Sequence, residues 1–216
     1  MPGPLQSPRL TPRAFSCLHT GVVSQSDLFG EAPPALPPGM RYEADFLSPD
    51  EESALLAMLR ALPLAPMQYQ QYTARRKVLS YGGQYDFSAQ QLNAVEPLPA
   101  WLDALRARAG AWAGIAPERF TQALLAAYEP GTPLGWHRDV PDFEDVVGVS
   151  LLDEAVMRFR PYPHVVGSKV KTMSLVLPPR SIYLLRGASR WEWQHAVSPT
   201  KRLRYSITLR TASARR

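Results

Sequence analysis

The residues most able to do chemistry are Trp136-His137-Arg138-Asp139, with a second imidazole, His195, much later in the chain. Two histidines and one carboxylate are the ligand set of the facial triad, which holds non-haem Fe(II) and leaves coordination positions open for substrate. Side chains at i and i+2 of a strand point to the same face. A strand through this stretch therefore lets His137 and Asp139 look into one interior. His195, in Trp191-Glu192-Trp193-Gln194-His195, is expected to approach from a second strand, so that two ligands come from one sheet edge and one from the sheet facing it. A structural histidine and a chance His-x-Asp pair remain open readings of these three residues taken alone.

The downstream strand Arg204-Tyr205-Ser206-Ile207-Thr208-Leu209-Arg210 sharpens the picture. Arg204, Ser206, Thr208 and Arg210 share one face, and Tyr205, Ile207 and Leu209 the other. An unpaired guanidinium on a buried face is costly and so needs an anionic partner. At ~3.3 Å per residue the two arginine Cα atoms stand roughly 20 Å apart. With both side chains reaching inward, about the length of a five-carbon dicarboxylate is left between them.

These residues must be positioned by a strand-rich body. Ser48-Pro49-Asp50-Glu51 reads as a helix start, with Ser as N-cap, Pro at the first helical position and Glu closing a capping box. Leu55, Leu56, Leu59 and Leu62 then form one apolar face. A second amphipathic helix is expected from about Pro97 to Ala113, with Leu98, Trp101, Leu102, Leu105, Ala109 and Trp112 on its apolar stripe. Beyond Phe120 the pattern turns to short strands, expected at 122–128, 147–152, 156–161, 172–177, 181–185, 191–197 and 204–211. Proline and glycine turns punctuate them. Two helices followed by about seven strands predict a mainly β, α+β fold, an antiparallel sandwich or jelly roll with helices packed on one sheet.

The first 39 residues differ. They hold Pro2, Pro4, Pro8, Pro12, Pro33, Pro34, Pro37 and Pro38 without helical or strand periodicity, and read as a flexible arm ahead of one domain from 40 to 216. The length of 216 residues suits a single domain with a sizeable core. No apolar run reaches the ~20 residues needed to span a bilayer, and the N-terminus lacks the pattern of a secretory signal. The one cysteine, Cys17, excludes an intramolecular disulfide or a multi-thiolate zinc site and fits a reducing cytoplasm. A net charge of +5 is compatible with a phosphate-bearing partner.

In order along the chain stand Tyr128-Glu129-Pro130-Gly131, Trp136-His137-Arg138-Asp139, Gly148-Val149-Ser150-Leu151, His195 and the strand from Arg204 to Arg210. In this order and content the chain resembles the AlkB family of Fe(II)/2-oxoglutarate dioxygenases over about residues 38–212. The resemblance implies a double-stranded β-helix, with its core over about 120–212, an N-terminal helical extension and a nucleotide-recognition lid at about 67–88. It implies Fe(II) on His137, Asp139 and His195. The distal carboxylate of 2-oxoglutarate would meet Arg204, aided by Tyr128, and Arg210 would sit near the carboxylate that joins the metal. Family chemistry consumes O2, converts the cosubstrate to succinate and CO2, and demethylates N-alkylated bases in nucleic acid with release of formaldehyde. A protein side chain, lipid or small metabolite is the alternative substrate class.

Within the lid, Tyr72-Thr73-Ala74-Arg75-Arg76-Lys77 places an aromatic beside three cations, suited to stacking a base and gripping phosphates. Tyr72 is the candidate stacking residue, with Arg75, Arg76, Tyr81, Tyr85 and Trp136 as further substrate contacts. Single-stranded, alkylated nucleic acid is the expected substrate, because extruding a base from a duplex costs ~a few kcal/mol. Three departures from the family pattern stand out. Ala126 and Ser206 take positions where relatives have Asn, and Pro141 replaces an acid that contacts the lesion, for which Asp142, Glu144 or Asp145 could substitute in space. Gln25-Ser26-Asp27-Leu28-Phe29, in the arm, resembles the short peptide by which bacterial repair proteins dock on the sliding clamp. The protein is expected to be a cytoplasmic monomer.

Overall fold

The computed structural model describes residues 35–69, 72–86, 89–165, 167 and 172–214. The clamp-like peptide at 25–29 and most of the proline-rich arm lie outside these. The folded body starts before Met40. Leu36 packs against a hydrophobic cluster containing Met40 and Met157, and the Pro38 carbonyl accepts from the Ser189 N–H at 2.8 Å. The last residues assigned to the arm therefore belong to the domain.

Strand β1 (Arg41–Glu43) leads into helix α1 (Pro49–Ala61). The capping box forms as its residue types predict: the Ser48 hydroxyl accepts from the Glu51 N–H, and the Glu51 carboxylate accepts from the Ser48 N–H at 2.7 Å. Leu55, Leu56 and Leu59 are buried and Leu62 is partly so. The segment read as a recognition lid is strands β2 (Ala65–Tyr69), β3 (Tyr72–Tyr81) and β4 (Gln84–Asp86), with β5 (Gln91–Asn93) pairing back on β4. The second helix is two pieces, a 3-10 turn at Ala100–Leu102 and helix α2 (Asp103–Ala113), which stops at Gly114 in the left-handed conformation.

Strands β6 (Phe120–Tyr128), β7 (Leu134–His137), β8 (Phe143–Leu151), β9 (Ala155–Pro161), β10 (Met173–Leu177), β11 (Ile182–Leu185), β12 (Trp193–Val197) and β13 (Arg204–Ala212) complete the fold. All pair antiparallel, in a major sheet ordered β1-β11-β8-β13-β6-β3-β2 and a minor sheet ordered β10-β9-β12-β7. The expected strand at 191–197 is shorter, because helix α3 (Ala188–Trp191) occupies its start.

The period of two sorts the major sheet's side chains. Ala123, Leu125, Ala127, Val147, Val149, Leu151, Tyr205, Ile207 and Leu209 form one cluster with α1 and α2. Their sequence neighbours Leu124, Ala126, Tyr128, Val146, Arg204, Ser206, Thr208 and Arg210 line a cavity whose other wall comes from the minor sheet. The helices thus seal one face of the major sheet, so the polar face of β13 can be held between two layers. Leu59, 1% exposed, sits at the centre of that seal. Leu59→Ala is expected to cost about 2–5 kcal/mol in urea unfolding while leaving metal binding unchanged.

Candidate iron and cosubstrate site

His137 is the last residue of β7, and Asp139 lies past the strand's end. His137 stands directly opposite His195 in the β7–β12 ladder. All three ligand candidates therefore come from the minor sheet and its following loop, not from two facing sheets. The structure brings His137 and Asp139 together although Asp139 is not in the strand. The imidazole centroids are 4.2 Å apart, and one ligand atom from each of His137, Asp139 and His195 lies within 4.8 Å of the others.

Hydrogen bonds orient the set. The His137 Nδ1–H donates to the Gly135 carbonyl at 2.8 Å, which leaves Nε2 for the interior. His195 Nε2 is 3.6 Å from Asp139 Oδ2. That carboxylate oxygen is buried and receives no hydrogen bond. A buried anionic oxygen without a donor, beside two inward imidazoles, is a site built for a cation. The other oxygen, Oδ1, accepts from Arg210 Nε at 2.9 Å and Nη2 at 2.7 Å. Burial works to raise the Asp139 carboxyl, but Arg210, His195 and His137 outweigh it and hold it well below the usual carboxylate range. Burial lowers His137, and burial together with His137 lowers His195 to about 3. Both imidazoles are therefore neutral at physiological pH, as ligation requires.

Arg210 belongs to a longer chain of contacts. Its Nη1 donates to Gln122 Oε1 at 2.8 Å, and Gln122 Nε2 donates to the Gly83 carbonyl at 3.2 Å. The loop bearing Asp139 is fixed from behind by Arg190, 2% exposed, whose Nη2 donates to the carbonyls of Val140 and Phe143 at 2.7 Å each.

The opposite end of the cavity is a cationic pocket. Arg204, 2% exposed, donates from Nε to Ser150 Oγ at 3.0 Å and stacks 5.0 Å from the Tyr128 ring centroid. Arg76 reaches the same tyrosine from β3, donating from Nη1 to its hydroxyl at 3.4 Å. Burial would raise the Tyr128 phenol, yet Arg76 and Arg204 hold it below its ordinary value. Ala126 and Ser206, the positions that depart from the family pattern, face each other across β6 and β13 and both line the cavity. The cavity and its mouth together hold ≈ 490 Å³ of empty space, open solvent included.

Several sequence expectations are corrected by the fold. Tyr81 is buried in the helix-side cluster and cannot meet substrate. Trp136 points away from His137, as alternation demands, and carries the guanidinium groups of Arg158 and Arg160 at 5.2 and 4.5 Å from its ring centroid. Asp145 pairs with Arg186, Glu144 accepts from Trp191 Nε1, and Asp142 is buried; none of the three lines the cavity. Arg76 forms part of the cavity wall, while Arg75 beside it is exposed. Tyr85 is half-buried on β4, and the side chain of Tyr72 lies outside the described residues. Sequence reasoning missed Gln122, Arg190 and Tyr183. The Tyr183 phenol lies in the cavity wall against Gly148, where a Cβ would stand 2.2 Å from the ring, and burial with nearby Asp139 pushes it up to about 12. Its one signal was the alternation in Ile182-Tyr183-Leu184-Leu185.

Comparison with known proteins agrees with this architecture. The family model of the 2OG-Fe(II) oxygenase superfamily matches residues 39–211. The chain belongs to that superfamily. Fe(II), 2-oxoglutarate and O2 are accordingly its cofactor, cosubstrate and oxidant, and it is a 2-oxoglutarate-dependent dioxygenase. Its sequence relatives are AlkB homologues, as the order of motifs implies. It is 32% identical over 175 residues to tRNA (carboxymethyluridine(34)-5-O)-methyltransferase alkbh8 of Xenopus tropicalis, covering 78% of this chain and 26% of the relative. It is 28% identical over 182 residues to the Alkylated DNA repair protein ALKBH8 homolog of Arabidopsis thaliana, covering 74% of this chain and 51% of that protein. The chain thus spans only a quarter to a half of these relatives. The solved structure of OsALKBH1 superposes with a TM-score of 0.64 at 16% identity, covering 82% of this chain and 100% of that one. Among the described residues no helix is long and apolar enough to cross a membrane.

Replacing Arg210 with Gln removes the cation that keeps Asp139 ionised and helps keep both imidazoles neutral. In the variant all three groups take up protons at higher pH than in the wild type. Cobalt(II) binding, followed by visible absorbance across an acid titration, is expected to be lost at higher pH in Arg210→Gln than in the wild type.

Proposed function

We propose that this dioxygenase oxidises a methyl or methylene carbon carried by a base in nucleic acid, with oxidative demethylation of an N-alkylated base as the leading case. The observation that carries the reading is convergence: Tyr128, His137, Asp139, His195, Arg204 and Arg210 meet in one cavity, with Ser150 behind Arg204, and the relatives described above are named for work on tRNA or DNA.

His137, Asp139 and His195 hold the iron in this reading. Arg204 grips the distal carboxylate of 2-oxoglutarate, with Tyr128 and Ser206 beside it. Arg210 keeps Asp139 ionised and presents a further positive edge to the near carboxylate. Bound there, Fe(II) supplies O2 activation coupled to the oxidative decarboxylation of 2-oxoglutarate. The protein's residues orient the cosubstrate, hold the ligand protonation states and line a cavity into which a base can be placed. On an N-methyl group the hydroxylated carbon leaves as formaldehyde. On a carbon-linked substituent the hydroxyl stays.

The charge of the cavity bears on which base is accepted. Among the described residues Asp139 is the only carboxylate in its lining, whereas Arg76, Arg204 and Arg210 all line it. With Arg204 and Arg210 engaged by 2-oxoglutarate and Asp139, a base made cationic by ring methylation finds no acid in that lining beyond the iron ligand. A neutral base, or one bearing a carbonyl or carboxylate substituent, fits better. A modified uridine in tRNA is thus the second reading, favoured by Arg76 in the cavity wall and by the relatives named for tRNA uridine modification.

Two measurements test this. Mass spectrometry of N-methylated oligonucleotides and of cellular tRNA, treated with Fe(II) and 2-oxoglutarate, is expected to show loss of one methylene or gain of one oxygen on one base type. His137→Ala is the inactive control. Succinate formation with no base altered in any nucleic acid would move the substrate to a protein, lipid or metabolite. Arg204→Ala is expected to raise the KM for 2-oxoglutarate on the order of 30-fold or more, because it strips the partner from a buried charge.

A further inference from the structure

The minor sheet has a second face, which gathers three arginines and two aromatic rings. Inward, β9, β12 and β7 present Phe159, His195 and His137 in register. Outward, the alternate positions carry Trp136 on β7, Gln194 and Ala196 on β12, and Arg158 and Arg160 on β9. Arg160 stands opposite Gln194 and donates from Nε to its Oε1 at 2.8 Å. Arg158 stands opposite Ala196, whose small side chain puts nothing bulky between the arginines and the indole. Arg138, flanked by the ligand candidates His137 and Asp139, stacks its guanidinium 3.6 Å from the centroid of Tyr162, itself 43% exposed at the end of β9. Its Nη1 is held by the Trp191 carbonyl at 2.9 Å.

The absence of acid is the informative feature. Several other cations pair with acids: Lys77 with Glu129, Arg106 with Asp103, Arg108 with Glu51, Arg180 with Asp45, Arg186 with Asp145 and Lys201 with Glu154. Among the described residues no carboxylate forms an ion pair with Arg138, Arg158 or Arg160. The Arg158 Nε is buried and donates to nothing. Three guanidinium groups, flattened against two aromatic rings and left without counter-charge, form a surface for a polyanion that also has flat faces to stack.

We propose that the outer face of the minor sheet binds the polynucleotide strand flanking the target base. Arg158 and Arg160 contact phosphates, and the Tyr162–Arg138 stack receives a neighbouring base beside the iron site. This rests on the nucleic-acid reading above, and it assigns to this face phosphate contacts that the sequence placed on β3. The chemistry identifies a single strand, because a base in a duplex keeps its faces stacked on its neighbours.

The test uses the full chain and a fluorescein-labelled, unmodified 15-mer of uridine, titrated at several salt concentrations. Arg158→Gln with Arg160→Gln is expected to weaken binding roughly tenfold. The slope of log K against log salt should fall by about 1.4, or about 0.7 for each lost phosphate contact. Tyr162→Ala, an exposed position, is expected to weaken binding at least about fivefold with the slope unchanged, since it removes stacking and not charge. Thermal melting and succinate formation without nucleic acid should match the wild type in each variant. If the double variant does not fold, Tyr162→Ala decides the matter alone. Wild-type affinity in the folded variants would overturn this surface and leave the base-oxidation reading standing. Failure of the wild type to bind any strand would overturn both. Equal competition by poly-glutamate of matched charge would mark a general anion surface and overturn the assignment to nucleic acid.

Discussion

The buried pairing of Arg210 with Asp139 is the contact on which the two-sheet arrangement turns. Arg210 rises from β13 of the major sheet, and Asp139 hangs from the loop after β7 of the minor sheet. Separately each would be an unpaired charge between two layers, a cost of several kcal/mol for either ion. Together they neutralise one oxygen of the carboxylate and leave the other without a donor, directed at the two imidazoles. The same contact thus joins the sheets and readies the metal position. Its supports spread outward: Gln122 ties Arg210 to the Gly83 carbonyl, and Arg190 ties the Asp139 loop to the end of α3. Because the pair is satisfied only when both layers are in place, the ligand geometry is conditional on the whole fold.

That condition explains the division of labour along β13. Tyr205, Ile207 and Leu209 supply the apolar face that α1 and α2 cover, while Arg204, Ser206, Thr208 and Arg210 turn inward. A strand with charged ends is tolerable at the centre of a sheet only when its polar face finds partners. Ser150 serves Arg204, and Asp139 serves Arg210. The two arginines therefore mark the ends of the cavity, one at a carboxylate of the protein and one where a carboxylate of the cosubstrate is expected.

Much of this was legible in the residues and some of it could not be. Alternation in β13 and β6, the Ser48 capping box and the leucine face of α1 are local patterns, and each folds as its period dictates. The ligand triplet was legible as chemistry but not as topology. Nothing in the spacing of His137 and His195 says that they face each other across one ladder, because strand pairing is decided by the whole sheet. Tyr81 and Trp136 misled for one reason: an aromatic beside a motif can fall on either face of its strand, and the phase is set by partners distant in sequence. Tyr81 fell on the helix side and Trp136 on the outer side. Arg190 and Gln122 were invisible because a polar residue that satisfies distant backbone carbonyls has no local signature.

Arg76 shows how the same uncertainty of phase alters a functional argument. As one of three successive cations in Arg75-Arg76-Lys77 it reads as part of a solvated basic patch. The strand separates them: Lys77 pairs with Glu129 at the surface, whereas Arg76 turns in beside Tyr128 at the cavity wall. In the base-oxidising reading its presence, with Pro141 where the family pattern has an acid, would favour a neutral over a cationic methylated base. Selectivity between bases would arise from the phase of one strand and not from any change in the metal ligands.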